Sequence, residues 1–423
     1  MSHRWRCLLL VVLVAHCSST FAKAELPPFD ALPENPALPD PFIMLDGTPV
    51  KTTDDWYKKR RPELKQLFQH YMYGYLPDAV KIESSSAQPD LEILDGKAIL
   101  RQVVIAFPTL PENAPRIHLT VILPKAVASA PVFVTINKCG NHTVLADPAI
   151  RINPNAILHK ECPGPPEEIR GKDAEFWCIP YLIERGYGFA TFHESDIDPD
   201  VHDFTDGIHP FFPQEEIAPE NRWATIAAWA WGIHRAVDYL STAPGVDPRR
   251  ICVTGHSRRG KTALFAGAMD ERIALVVPHQ SGTGGAALSR DNDQETVERI
   301  NRVFPHWFND AFVNFGDHES KLPIDQHLLM AMVAPRPLID TMGLQDKWAN
   351  YDSSLRAVRA AAPVWKLLGA QGLAGDGVLT YPQKVTSETA GTILQYRRDT
   401  KHTMDQGYWE AILDFADLRL PRP

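Results

Sequence analysis

Residues 251–261 read ICVTGHSRRGK, and this stretch decides the fold. Its first four residues form an apolar run typical of a buried strand, and Gly255 follows two residues before Ser257. A glycine at this place permits a sharp strand-to-helix turn that lifts a serine above the sheet edge. In the common form of this turn, G-x-S-x-G, the second glycine would stand at position 259, but Arg259 fills it and Gly260 follows. The stretch therefore predicts a strand, a tight turn at Ser257 and a helix beginning near Lys261.

Other short apolar runs extend this pattern along the chain. After two strands that we expect to be antiparallel, at residues 99–107 and 117–123, buried strands alternate with helices such as the one predicted at residues 223–240. Strands with continuous apolar runs are covered on both faces, which favours a mostly parallel sheet. We therefore predict an α/β-hydrolase three-layer sandwich with helices on both faces of the sheet. The five buried runs are residues 132–137, 188–192, 251–254, 275–278 and 338–341.

Composition and charge exclude several classes of protein. The 423 residues are 44% hydrophobic and 22% charged, which is ordinary globular composition and excludes disordered and fibrous proteins. The net charge is -9, and the basic run KKRR at residues 58–61 falls on a predicted helix, where we interpret it as an exposed face. No nucleic-acid partner is expected.

The N-terminus has the pattern of a secretion leader. Two arginines precede an apolar run at residues 8–15, which is too short to span a membrane, and the tripeptide Ala-Lys-Ala ends at Ala24. We predict a signal peptide at residues 1–24 and a secreted or periplasmic protein without a membrane span. Residues 25–423 would form a single domain, a monomer, with an extended proline-rich arm at about residues 25–47.

Four cysteines remain after the leader: Cys139, Cys162, Cys178 and Cys252. In an oxidising compartment Cys162 and Cys178 would close a short loop by a disulfide; the alternative is that the thiols are free and buried. No C-x-x-C pattern indicates a metal site, and we expect neither metal nor cofactor.

A serine needs a base and an orienting carboxylate, which in this fold follow in the order serine, acid, histidine. His402 lies between a strand-like run at residues 393–396 and a helix predicted at 409–415, which is the usual loop for the base. His256 and His279 lie closer in sequence to Ser257, and we expect them to line the wall of the site. The alternative for Ser257 is a helix cap without catalytic function.

Asp346 is the predicted acid because it follows the run at residues 338–341, at the carboxyl end of a late strand. An ionised aspartate there can hold the imidazole in one tautomer and stabilise its cation. Asp352 lies nearby, but we interpret it as the N-cap of the next helix.

The chain resembles the glucuronoyl esterases, carbohydrate esterase family 15, from about residue 56 to its end. The family's elbow reads G-C/H-S-R-x-G-K, and residues 255–261 match it with the late glycine included. Similar segments are TALFAGAMDERIALVVPHQSGTGGAALSR (262–290), QETVERINRVFPHWF (294–308), APRPLIDTMGLQDKWAN (334–350) and LDFAD (413–417).

The resemblance implies roles for further residues. Arg258 would help to stabilise the oxyanion; the alternative is a surface ion pair. Lys261, Glu295 and Trp348 would contact the sugar. The alternatives are that Lys261 is solvated, that Glu295 lies on a solvated helix face, and that Trp348 belongs to the core. Glu298 competes with Glu295 for the sugar-binding role.

Some positions depart from the family pattern. Where some members have a catalytic glutamate, this chain has Gln280, which leaves the acid role to Asp346. The cysteine pair of fungal members is replaced by His256 and Thr403, so that disulfide is absent. Arg259 is interpreted as a packing or rim residue, and Trp307 as structural.

The resemblance implies a 4-O-methyl-glucuronoyl methylesterase-type enzyme. Its substrate would be the ester between glucuronic acid of glucuronoxylan and a lignin alcohol, and a uronoyl-enzyme would form on Ser257. The alternatives are an acetylxylan or other carboxylic ester hydrolase, and a non-catalytic carbohydrate-binding protein on a hydrolase scaffold.

Overall fold

The computed structural model describes residues 26–86, 88–162 and 164–420, so the predicted leader at residues 1–24 lies outside the described residues. Within them, eleven strands form one sheet, and no helix is long and apolar enough to cross a bilayer. The strands are β1 (Glu83–Ser85), β2 (Leu91–Ile93), β3 (Ala98–Ala106), β4 (Ile117–Pro124), β5 (Ala130–Asn137), β6 (Gly188–His193), β7 (Val246–His256), β8 (Leu275–His279), β9 (Leu338–Gly343), β10 (Val378–Thr380) and β11 (Ile393–Arg398). The helices are α1 (Thr53–Asp55), α2 (Arg61–Phe68), α3 (Ala174–Trp177), α4 (Ile179–Glu184), α5 (Thr225–Leu240), α6 (Arg258–Met269), α7 (Val297–Val303), α8 (Asp310–Val313), α9 (Gln326–Ala331), α10 (Tyr351–Leu367) and α11 (Gln406–Arg419).

The sheet is antiparallel at one side and parallel through the rest. Its order is β1-β3-β4-β6-β5-β7-β8-β9-β11-β10, with β2 paired to β3. The β3–β4 and β4–β6 pairs are antiparallel, and every pair from β6 to β10 is parallel. The five predicted buried runs are β5 to β9, and all of them lie in the parallel part. Since the carboxyl ends of parallel strands meet at one edge, the loops after β5 to β9 and β11 converge there.

Two hydrophobic cores lie on opposite faces of the sheet. Along β5, Val132 and Val134 belong to one core and Phe133 to the other, because successive side chains of a strand point to opposite faces. Helices α2, α5, α6, α9 and α10 contribute to the first core, and α3, α4 and α11 to the second. This is the predicted three-layer sandwich.

The helix after the serine begins earlier than the sequence indicated. We expected it near Lys261, but α6 starts at Arg258, directly after Ser257. Both arginines and the lysine of the opening stretch therefore lie in the first turn of α6. The helix predicted at residues 223–240 is α5, which begins at Thr225.

The basic run at residues 58–61 is not an exposed face throughout, and the prediction is wrong for its two arginines. Arg60 and Arg61 are 2% and 3% exposed. Arg60 pairs with Glu63 at 2.6 Å and donates to the carbonyl oxygen of Pro41 in the N-terminal arm, while Arg61 donates to the carbonyl oxygen of Met332 at 2.7 Å. These arginines hold the arm and the helix that follows it to the body of the protein.

The carboxyl group of Asp340, in the middle of β9, is expected to make the free energy of unfolding depend on pH. The carboxylate is fully buried, accepts hydrogen bonds from Ser354 and from Gln395, and burial raises its pKa to about 6. Since the pKa is near 4 in the unfolded chain, the folded state binds the extra proton between those two values. Its contribution to the free energy of unfolding therefore falls as the pH rises through this window, by up to about 1.4 kcal/mol per pH unit.

The Asp340→Asn variant lacks this titration. Urea unfolding at several pH values from 4 to 7 should show the wild type losing stability relative to the variant as the pH rises. A constant difference between the two proteins would contradict the prediction.

Candidate active site

Ser257 occupies a strained turn between β7 and α6. Its φ of 60° and ψ of -128° are angles that residues with a side chain rarely adopt. A Cβ atom on Gly255 would lie 2.1 Å from the carbonyl oxygen of Arg259, and one on Gly260 would lie 2.8 Å from that of Gly255. A side chain at position 260 would clash with the backbone of Gly255, which explains why the second glycine stands there.

His402 and Asp346 form a hydrogen-bonded pair across two neighbouring loops. His402 follows β11, Asp346 follows β9, and His402 Nδ1 lies 2.6 Å from Asp346 Oδ2. An ionised carboxylate only accepts, so Nδ1 carries the proton and Nε2 is left as the acceptor. The loops are joined by backbone hydrogen bonds from Leu344 to Arg398 (2.8 Å) and from Gln345 to Thr400 (3.0 Å).

Ser257 and His402 line the same cavity, which has a volume of about 680 Å³. Among the described residues no hydrogen bond joins the Ser257 hydroxyl to the imidazole; in enzymes such bonds often form only when substrate is bound. Asp352 does not line the cavity. Its side chain is 72% exposed and contacts Arg397 at 3.0 Å. Its predicted capping role is also wrong, since Asn350 caps α10.

Two further histidines, His256 and His279, lie close to the His402 loop. His256 lines the cavity as expected, and its ring centroid is 4.2 Å from that of His402. Burial, reinforced by the charges of His402 and His279, lowers the pKa of His256 well below its usual range, and burial lowers that of His279 to about 4. The expectation that His279 lines the wall is wrong: it is fully buried, and its Nε2 donates to the carbonyl oxygen of Thr403 at 2.9 Å. Both rings are therefore neutral near pH 7, and His279 holds the His402 loop.

Gln280 also supports this loop. Its side-chain amide donates to the carbonyl oxygen of Lys401 at 3.1 Å and to the Tyr408 hydroxyl at 3.4 Å. The sequence excluded Gln280 as the acid but did not predict this contact.

The two arginines of the elbow are both paired with buried carboxylates. Arg258 lines the cavity and pairs with Asp200, and its Nε has no hydrogen-bond partner among the described residues. The alternative for Arg258 was a surface ion pair. The structure shows an ion pair, but a buried one. Arg259 pairs with Glu194 at 2.5 Å, and burial raises the pKa of Glu194 to about 7. Arg259 thus links the elbow to the end of β6.

Lys261, Glu295 and Trp348 form one connected cluster. Lys261 Nζ donates to Glu295 Oε2 at 2.9 Å, and Trp348 Nε1 donates to Glu295 Oε1 at 2.5 Å. Lys261 is buried and not solvated, and burial lowers its pKa although the charge of Glu295 opposes this. Glu298 is 44% exposed and pairs with Arg302, so the structure places Glu295, and not Glu298, at the cavity.

Helix α7 supplies cavity residues that sequence reasoning missed. Arg299 and Val303 line the cavity together with Glu295, and the Arg299 guanidinium stacks over the Trp348 ring at 4.1 Å. The sequence signal that could have identified Arg299 and Val303 is their spacing, because residues four apart lie on the same face of a helix. Trp307, interpreted as structural, lies in the cavity wall. The remaining aromatic lining residues are Phe176, Trp177 and Phe304.

A disulfide joins Cys139 to Cys162, so the suggested Cys162–Cys178 pairing is wrong. Cys178 is a half-buried free thiol and Cys252 a buried one. Lys138 and Glu161, each beside one of the bridged cysteines, line the cavity and pair at 2.6 Å. The disulfide therefore connects the loop after β5 to a second segment of the cavity wall.

Replacing both Cys139 and Cys162 with serine is expected to lower the free energy of unfolding by about 3 kcal/mol. The bond spans 23 residues, and its loss frees this loop in the unfolded chain. Urea unfolding monitored by tryptophan fluorescence measures the change. Cys178→Ser is the control, with an expected change below about 1 kcal/mol. Equal stability of the double variant and the wild type would contradict the expectation.

Comparisons with known proteins agree with one another. A model described as "Glucuronyl esterase, fungi" matches residues 176–369. Carbohydrate esterase MZ0003, from an unknown prokaryotic organism, is 41% identical and covers 90% of this chain and 89% of its own length. A 4-O-methyl-glucuronoyl methylesterase of Phanerochaete carnosa is 31% identical over 87% of this chain and 83% of its own. A solved CE15 esterase from a marine bacterial metagenome, described as promiscuous, has a TM-score of 0.81 and 39% identity, covering 93% of this chain and 99% of its own.

The fold, with a serine elbow and a histidine–aspartate pair at the carboxyl edge of a parallel sheet, defines an α/β-hydrolase. Identity of 41% over nine-tenths of the chain specifies the family. The chain belongs to carbohydrate esterase family 15, the glucuronoyl esterases, and is a carboxylic ester hydrolase.

Proposed function

We propose that the protein cleaves the ester between glucuronic acid of glucuronoxylan and a lignin alcohol, with Ser257, His402 and Asp346 as its catalytic triad. The 4-O-methyl-glucuronoyl ester in the name of the Phanerochaete carnosa relative is the proposed acyl group. The observation that carries the proposal is that one cavity is lined by Ser257, His402, Glu295 and Trp348.

In the proposed reaction His402 Nε2 takes the hydroxyl proton as Ser257 Oγ attacks the ester carbonyl. The resulting oxyanion lies at the start of α6, where the first N–H groups have no partner in a preceding turn. Arg258 adds a fixed positive charge there. His402 then returns the proton to the leaving alcohol, which leaves a uronoyl group on Ser257. Water activated by His402 hydrolyses this ester and regenerates the serine.

The sugar would be held by the cluster of Lys261, Glu295 and Trp348, of which Glu295 and Trp348 line the cavity. Glu295 accepts hydrogen bonds from Lys261 and Trp348, which fixes the carboxylate and both donors in one arrangement. Glu295 offers a charged acceptor and Trp348 an indole ring to a hydroxyl-rich sugar, and the buried Lys261 holds the Glu295 carboxylate in place.

The proposed location is outside the cytoplasm. The leader pattern supports it, and so does the Cys139–Cys162 disulfide, because such bonds persist in oxidising compartments.

Glu295→Gln is expected to lower kcat/KM for benzyl glucuronate by about 10- to 100-fold, because a charged hydrogen-bond partner of the sugar is lost. Hydrolysis of an aryl acetate, which has no sugar, should change by less than about threefold. Glu298→Gln, three residues further along the chain, is the matched control and should leave both rates unchanged. Kinetics with the two esters on the three proteins give the comparison.

Equal losses on both esters would contradict uronate binding by Glu295. A wild type that hydrolyses only the acetate would favour the alternative of a general carboxylic ester hydrolase. The description of the marine metagenome esterase as promiscuous makes the acetate measurement informative.

A further inference from the structure

The proposed mechanism does not use Asp200, a buried carboxylate next to the turn at Ser257. It follows β6, and its side chain is 3% exposed. Asp200 Oδ1 accepts hydrogen bonds from His306 Nε2 and from Trp307 Nε1, each at 2.8 Å. Asp200 Oδ2 accepts one from Arg258 Nη1 and lies 3.5 Å from His159 Nε2. The carboxylate is therefore anchored at one oxygen and presents the other to Arg258.

The guanidinium of Arg258 is enclosed on several sides. Its Cζ lies 4.4 Å from the ring centroid of Trp307 and 5.0 Å from that of Phe304, and the two rings stack on each other at 3.7 Å. One Nη is bonded to Asp200, whereas the buried Nε has no partner among the residues described. The side chain is thus held by a carboxylate and two aromatic rings at the wall of the cavity.

We propose that Asp200 is a positioning residue that fixes the Arg258 guanidinium so that the guanidinium faces the oxyanion of the transition state. This inference rests on the proposed function, because it assumes that Arg258 stabilises that oxyanion. Arginine has a long side chain with many rotamers, and a donor contributes most to catalysis when it is oriented before the reaction.

The charges around Asp200 favour its ionised form. Burial alone would raise its pKa, but the hydrogen bond from His306 and the charge of Arg258 outweigh this and hold the pKa well below its usual range. The carboxylate is therefore charged at any pH at which an esterase would be assayed. A neutral amide at this position would keep the shape and lose the ionic contact with Arg258.

A double-mutant cycle tests the proposal with benzyl glucuronate as substrate. Asp200→Asn should lower kcat by about 10- to 100-fold with KM within about threefold, since the interaction is made in the transition state. Arg258→Ala should lower kcat by about 10²- to 10³-fold. In the Arg258→Ala background, Asp200→Asn should cost less than about threefold more, because a positioning residue has nothing left to position.

The matched control is Asp196→Asn. Asp196 is a buried carboxylate on the same segment that contacts His118 at 3.3 Å and does not line the cavity. Its replacement should leave kcat unchanged. If both aspartate variants lower kcat equally, the effect comes from the segment and the proposal is overturned.

Two other results also overturn it: wild-type kcat for Asp200→Asn, or losses that multiply in the double variant. If Asp200→Asn does not fold, Asp200→Glu replaces it in the test, because glutamate keeps the charge but shifts it by one methylene. Asp200→Glu should still lower kcat, and a wild-type kcat would contradict the inference. Arg258→Ala with wild-type kcat would instead refute the oxyanion role in the proposed function.

Discussion

Replacing Ser257 with alanine is expected to lower kcat for benzyl glucuronate by about 10⁴-fold or more. The hydroxyl is the proposed attacking group, and among the described residues lining the cavity Ser257 is the one serine. Because the native φ at this position is 60°, alanine occupies the same strained turn and does not relieve it. Initial rates with benzyl glucuronate and with an aryl acetate measure the loss.

Both substrates should lose activity together, since one nucleophile serves both esters. Ser241→Ala is a suitable control: Ser241 lies at the end of α5, does not line the cavity and donates to the Val237 carbonyl oxygen at 2.7 Å. It should retain wild-type rates. Hydrolysis of either ester by Ser257→Ala at the wild-type rate would refute the proposed nucleophile.

Asp346→Asn is expected to lower kcat for benzyl glucuronate by about 10³- to 10⁴-fold. The carboxylate accepts from His402 Nδ1 at 2.6 Å, which leaves Nε2 free to take the serine proton. An amide at this position can donate to Nδ1, and the ring then carries its proton on Nε2, where it cannot act as a base. The size of the pocket is unchanged, so KM should stay within about threefold.

Asp352→Asn is the matched control for this loop. Asp352 lies six residues further along, is mostly exposed, and contacts Arg397 away from the cavity. Its replacement should leave kcat unchanged. If Asp346→Asn retained full activity, the acid would have to be sought elsewhere, and Gln280 would still be excluded because its side chain is an amide.

The central parallel strands were predictable because their signals are local and redundant. Each of β5 to β9 contains a buried apolar run, and the turn at Ser257 follows from two glycines. Ser257, His402 and Asp346 were placed by chain order alone, and the structure brings the last two into contact. The start of α6 was missed by three residues, because Arg258 and Arg259 carry no sequence signal that distinguishes a turn from a first helical turn.

The missed features depend on contacts between distant segments. Arg60 and Arg61 look like a solvated basic face, yet each meets a carbonyl oxygen brought close by the fold, Pro41 and Met332 respectively. Cys139 was free to pair with any of three later cysteines, and only the path of the chain selects Cys162. Asp200 is one of several aspartates in the run DIDPD at residues 196–200, where nothing local marks it as the partner of Arg258.

One wall of the cavity is held rigidly, because backbone hydrogen bonds join the loops after β9 and β11. A change in either of these loops would displace both Asp346 and His402, which are hydrogen-bonded to each other. The wall formed by α7 is different. Helix α7 is short, and its cavity residues Arg299 and Val303 are exposed. For enzyme engineering, a mutant library aimed at new leaving alcohols is best confined to positions 299 and 303, with residues 344–346 and 398–402 kept constant.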